Sequence, residues 1–140
     1  MTEARSVFAA IWGREGWGAR PALLGEAAMT YGELLAAAED LADVLRAAGA
    51  GEGSLIGVRL PVRPGYVIAM LAVWRLGALS VLLDPQQTAA EYAHIHRDAG
   101  LAFLVTPRDA EPLPPAEGAA ERGWRDLAIR GPFVGGLTAG

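Results

Sequence analysis

The stretch Trp74-Arg75-Leu76-Gly77-Ala78-Leu79-Ser80-Val81-Leu82-Leu83-Asp84-Pro85 decides the fold. Gly77 ends the element before it, residues 79–83 form a nearly continuous apolar run, and Asp84-Pro85 closes that run. An apolar run of this length between turn signals reads as a strand buried on both faces of a parallel sheet. Upstream, Pro64 stands where a first helical turn accepts proline. Tyr66, Val67, Met70, Leu71, Val73 and Trp74 then give a helix with almost no charge until Arg75. Such a helix is apolar around most of its surface and expects partners on more than one side. Before it, residues 55–60 read as a strand that Pro61 ends. Downstream, Thr88 lies three residues ahead of Glu91, the spacing of a capping box, and opens a helix to Ala99 with Gly100 behind it. Residues 101–105 are a third parallel-strand candidate.

Further out, Thr30 and Glu33 repeat the capping-box spacing, and Met29 and Leu34 flank them as a hydrophobic staple. The helix they open is expected to reach Ala48. Leu34, Ala38, Leu41, Leu45 and Ala48 form its buried stripe, while Glu39, Asp40, Asp43 and Arg46 face out. Gly49 follows as a natural terminating residue. The order is helix, strand, helix, strand, helix, strand with short connections, the rhythm of an open α/β sheet. Right-handed crossovers place its strands side by side.

Ahead of this body, Arg20-Pro21-Ala22-Leu23-Leu24 reads as a short extended piece with a Gly25-Glu26 turn. Val7, Phe8, Ile11 and Trp12 suggest a short amphipathic helix, with Trp12 and Trp17 covering one end of the core or anchoring an interface. Behind it, the proline-rich residues 107–115 resist regular structure, residues 116–123 are small or polar, and residues 124–129 add at most one short element. The expected organisation is an α/β domain over 1–106, a Pro/Ala-rich linker over 107–123 and a weakly structured tail over 124–140.

Composition narrows the chemistry. The chain has 140 residues, 12 of them basic and 16 acidic, and every basic side chain is arginine. The absence of lysine excludes a Schiff base, a lysine beneath a phosphate and a lysine clamp on an acyl-adenylate. A net charge of −4 argues against nucleic acid or an anionic membrane as the main partner. With no cysteine there is no disulfide framework or thiolate metal site. Neither the first residues nor residues 67–83 have the pattern of a signal peptide or a spanning helix, so a cytoplasmic chain is the expectation.

No residue set reaches the threshold for catalysis, cofactor binding or metal ligation. His94 and His96, two apart on a helix, do not share a face and read as solvated or capping side chains. Arg97 and Asp98 look like surface residues. Asp84, at the carboxyl end of a strand, lies where α/β sheets hold ligands, yet Asp before Pro is also a turn starter. Ser6, Ser54 and Ser80 have no nucleophile context, and Ser80 is expected to be buried and bonded locally. The spaced glycines of residues 49–53 follow a helix and precede a strand, the reverse of a dinucleotide fingerprint, and read as a turn.

With these motifs in place, the chain resembles the N-terminal part of the adenylate-forming superfamily, which includes acyl-CoA synthetases, aryl-acid ligases and the adenylation domains of nonribosomal peptide synthetases. Met29-Thr30-Tyr31-Gly32-Glu33-Leu34 resembles the family's first core motif, and Trp74 through Pro85 resembles the second. Pro21-Ala22-Leu23, the glycine turn and residues 101–106 fall at the expected spacings. Ser80 stands where the family has tyrosine, Leu82 where it has proline and Arg75 where it has lysine; the Leu83-Asp84-Pro85 ending leans toward the amino-acid-activating branch. The resemblance implies a partial open, mostly parallel sheet with flanking helices. It also implies a reaction in which a carboxylate attacks the α-phosphate of ATP. The family's phosphate loop, adenine and ribose contacts, hinge and catalytic lysine have no counterpart here. ATP and magnesium are therefore implied only for a completed enzyme. The leading expectation is the N-terminal subunit or fragment of a split or truncated synthetase, inactive alone, that completes a partner carrying the remaining motifs or associates with itself. The alternatives are a non-catalytic regulatory or binding protein acting on a synthetase or carrier protein, and a gene remnant.

Overall fold

The computed structural model describes residues 21–23, 29–111, 113–115 and 118–133. The expected N-terminal helix with Trp12, together with Trp17, Ser6 and the Gly25-Glu26 turn, lies outside the described residues. A two-stranded antiparallel pair, β1 (Pro21–Leu23) and β2 (Met29–Thr30), leads into α1 (Tyr31–Ala47). There follow β3 (Leu55–Val58), α2 (Pro64–Arg75), β4 (Leu79–Leu82), α3 (Ala89–Ala99), β5 (Phe103–Pro107), β6 (Glu121–Trp124) and β7 (Leu127–Arg130). The last five strands form one sheet in the order β4-β3-β5-β7-β6. β3 runs parallel to both β4 and β5, whereas β7 is antiparallel to β5 and to β6. The expected α/β class with a mostly parallel open sheet is what the chain adopts.

Local signals set the helix ends. Thr30 Oγ1 accepts the Glu33 N–H at 3.1 Å, and Glu33 Oε1 accepts the Thr30 N–H at 3.0 Å. The Thr30 backbone bond, and then its side chain, hold the Glu33 carboxyl below the usual carboxylate range. Thr88 and Glu91 make the same reciprocal bonds at 3.1 and 3.2 Å to start α3, which closes on Gly100 at φ +71°. Arg75 Nε donates to Glu39 Oε1 at 2.6 Å and ties the end of α2 to the outer side of α1.

The sheet separates two cores. On one face α1 and α2 bury Leu41, Leu45, Ile68 and Val73 against Ile56, Val58, Phe103, Val105, Leu127 and Ile129. On the other, α3 buries Tyr92 against Leu83, Leu101, Leu104 and Phe133. Gly57 faces this second core, and a Cβ there would stand 3.0–3.1 Å from Leu101, Leu104 and Leu83 side chains. The missing side chain lets α3's layer close on the sheet.

Three expectations change. The hairpin β6–β7 extends the same sheet, and β5 itself runs to Pro107, so the division at residue 106 does not hold for residues 121–130. Leu127 and Ile129 supply the inward alternation that fills the α1–α2 core; a four-residue strand is too short to stand out by pattern alone. β4 is not buried on both faces: among the described residues it lies at the sheet edge, with Leu79 56 % and Leu82 54 % exposed. A uniform apolar run cannot distinguish a central strand from an unprotected edge. Ser80 on that edge is half-buried and makes no side-chain hydrogen bond among the described residues. The apolar α2, by contrast, finds partners on more than one side as expected, between α1 and the sheet, with Trp74 its exposed large side chain.

Candidate functional site

β3 sends its connection toward β4, and β5 sends its own away toward the hairpin. Adjacent strands whose connections diverge leave a crevice at their carboxyl ends, the place where open α/β sheets bind ligands. A cleft of about 560 Å³ opens there, lined by Leu60, Pro61, Arg63, Tyr66, Arg108 and Asp126 among others. Arg63 precedes α2 without a side-chain cap. Arg108 donates from its backbone N–H to Asp126 O at 2.7 Å and from Nη1 to Arg125 O at 3.1 Å. The guanidinium thereby lies across Gly123, where a Cβ would come within 2.8 Å of it. The hairpin turn that receives these bonds spans two residues, Arg125 and Asp126, with Arg125 at φ +52° and its guanidinium 4.6 Å from the Trp124 ring centre. Arginine, carboxylate and tyrosine side chains line this cleft, and its described lining holds no nucleophile–base pair.

Asp84 lies at the end of β4, outside this cleft. Its Oδ1 accepts the Gln86 N–H at 2.8 Å, which is the turn-forming role weighed above. Next to it, Arg59 Nη2 donates to Pro85 O at 2.5 Å and to Gln87 O at 3.3 Å, fixing the loop that leads to α3. His94 is exposed and pairs with Asp98 at 3.0 Å on the outer face of α3. His96 differs from expectation, because it is 8 % exposed. Its Nδ1 shares a 2.7 Å hydrogen bond with the Tyr92 hydroxyl, and the Phe133 ring stands edge-on at 4.5 Å. Burial lowers the His96 pKa. Burial also pushes the Tyr92 phenol up to about 12, against the pull of Arg59 and Arg130. Arg130, itself buried, bonds Glu121 at 2.6 Å across the hairpin. Sequence reasoning missed this cluster, although Tyr92 and His96 sit four apart on the inward stripe that also holds Ile95 and Ala99. A second cleft, of about 920 Å³, lies between α3 and Pro114, Ala119 and Phe133, with His96 on its wall.

The glycine turn does not fit a triphosphate. Gly51 N–H, the donor a phosphate would need, is already bonded to Ser54 Oγ at 3.0 Å, and Ser54 is fully buried. Among the described residues no group of three or more His, Cys, Asp or Glu side chains gathers as metal ligands. Among them, too, no helix is long and apolar enough to cross a membrane.

The profile of the AMP-binding enzyme family matches residues 12–130. The chain belongs to that family. Tyrocidine synthase 3 of Brevibacillus parabrevis is 36 % identical over 93 residues, which is 66 % of this chain and 1 % of the synthase. Acetyl-coenzyme A synthetase 2 of Kluyveromyces lactis is 36 % identical over 94 residues, 62 % of this chain and 14 % of the synthetase. Among solved structures, the o-succinylbenzoate coenzyme A synthetase of Bacillus subtilis in complex with AMP superposes at a TM-score of 0.62 with 30 % identity, covering 66 % of this chain and 24 % of the synthetase. The N-terminal subdomain of Klebsiella oxytoca NpsA shares the fold at a TM-score of 0.68, with 24 % identity over 80 % of this chain and 29 % of that one. This member of the AMP-binding family thus spans less than a third of the length of each of these relatives.

Proposed function

We propose that this AMP-binding family chain serves as the N-terminal portion of an adenylate-forming synthetase, non-catalytic by itself, and completes a partner that carries the remaining motifs. The observation that carries the reading is the combination of partial span and finished packing. The chain matches 14 % of an acetyl-coenzyme A synthetase, yet its two cores are filled by its own helices and strands. A segment with its own core can act as a scaffold for a phosphate-binding segment supplied by another chain. The lysine-free composition supports an inactive role in isolation, since no ammonium group is present to steady a transferring phosphoryl group or an adenylate.

In the completed enzyme, ATP and magnesium belong to the partner's share of the site. A cytoplasmic setting suits such a reaction. The test is carboxylate-dependent pyrophosphate exchange with this chain, the longer partner and their mixture. The proposal expects exchange from the mixture above that of the longer chain, and none from this chain. Equal exchange with and without this chain would remove the completing role.

A further inference from the structure

α3 is held to the sheet differently from the other two helices. The buried side chains of α1 and α2 are all aliphatic, whereas those of α3 are Tyr92 and His96. These two are joined to each other by the 2.7 Å bond between the phenol and Nδ1. The helix is therefore anchored through a pair of which one member titrates near neutral pH.

The surroundings fix the direction of that bond. On β3, Gly57 faces the α3 core, so Arg59, two residues on and still bonded to Val105 O at 2.9 Å, turns to the same side. On β7, Arg130 lies opposite Leu104, a residue of that core. Both guanidinium groups pull on the Tyr92 phenol. Glu121 of β6 is taken by Arg130 at 2.6 Å, and Arg108 lies over Gly123, further along the same strand. On α3 itself, Glu91 is spent on the Thr88 cap, Asp98 pairs with His94 on the outer face, and Arg97 is exposed. Leu55, Val81, Leu83, Leu113, Ala119 and Phe133, which also line this core, carry no charge. With cations as its charged neighbours, the Tyr92 hydroxyl donates its hydrogen to Nδ1, and neutral His96 carries its own on Nε2.

We propose that the Tyr92–His96 pair is a pH-sensitive latch, and that protonating His96 releases α3 from the sheet while α1 and α2 stay docked. A proton on Nδ1 removes the acceptor of the phenol's hydrogen. It also adds an imidazolium to the two guanidinium groups around Tyr92, where the Glu121 carboxylate is already paired. Release lets water reach the charged ring. The effect stays local because α1 and α2 pack on the opposite face of the sheet. Burial lowers the His96 pKa in the docked state, so released α3 takes up the proton first. Docking is therefore full above about pH 6.5 and weakens by up to about tenfold per pH unit below it. This inference is independent of the proposed synthetase role, which stands or falls on exchange activity.

Amide hydrogen exchange of the whole chain tests it, compared as protection factors at about pH 7.5 and about pH 5.5, on either side of the ordinary histidine value. Residues 89–99 are expected to lose protection about tenfold at the lower pH. They should exchange there with little dependence on urea, because a released helix exposes little surface. α1 and α2 should instead show the steeper urea dependence of whole-chain unfolding. His96→Gln, which still offers the phenol an acceptor but cannot titrate, should hold the protection of α3 level between the two pH values. His94→Gln should leave the native response intact. Unchanged protection of residues 89–99 in the native chain overturns the proposal, and so does a pH response that survives in His96→Gln. Exchange of α3 with the same protection and urea dependence as α1 at the lower pH also overturns it, since the opening would then be that of the whole chain.

Discussion

His96 shows how a side chain's neighbours, and not its type, set its role. Buried beside Tyr92 and Phe133, it is held neutral, because a charged ring would lose its hydration. Its folded pKa is depressed below the ordinary value of about 6.5, so the unfolded chain takes up the proton first. Stability is therefore full above that value and falls as pH drops through it toward the folded pKa. Urea unfolding at pH 7.5, 6.5 and 5.5 (about one unit apart around the histidine range) should show a declining midpoint for the native chain. His96→Gln, which cannot titrate, should flatten that decline. Gly131 makes a second prediction. It lies at φ +130°, and a Cβ there would stand 2.5 Å from Ala102 O, a backbone atom that cannot swing away. Gly131→Ala should cost about 2–4 kcal/mol in equilibrium unfolding. Both features escape a reading of the sequence, since each depends on what the hairpin brings against α3 and β5. His96 alone left a trace, through its four-residue spacing from Tyr92.

Among elements, the helices were readable and the short strands were not. Thr30-Glu33 and Thr88-Glu91 are local codes, complete within four residues, and each starts its helix where expected. Thr30→Ala and Thr88→Ala should each lower unfolding free energy by about 1 kcal/mol, measured by denaturant titration. The double variant should cost roughly their sum, because the two caps share no partner. Strand burial, in contrast, is a property of neighbours. The apolar run of β4 and that of β5 look alike in sequence, yet β5 is flanked on both sides and β4 on one. β6 and β7 were hidden for a related reason: proline-rich and glycine-containing residues around them read as a linker, and only pairing with β5 gives them a place. The sequence pointed to the carboxyl end of β4, at Asp84, as the ligand edge; the cleft lies instead at the ends of β3 and β5, and its residues Arg108 and Asp126 come from that unforeseen hairpin.

Taken whole, the described residues form a sheet that ends in β4 on one side and in β6 on the other, in a chain that spans 14 % of one matched synthetase and 24 % of another. The hairpin does more than extend the sheet. A chain ending after Thr106 would expose β5, whose residues from Phe103 to Thr106 are all buried in the native fold. Such a chain should scatter light at concentrations where the native chain remains clear; equal clarity would show that the hairpin is dispensable. The same arrangement sets an order of events during synthesis. β3, β4 and β5 leave the ribosome before residues 121–130, so for the time it takes to add the hairpin the growing chain holds an apolar strand with no neighbour on one side. At roughly 5–20 residues per second that interval lasts on the order of seconds. Quality-control factors that recognise the bare edge of β5 would find their target in that interval and lose it when β7 pairs with β5.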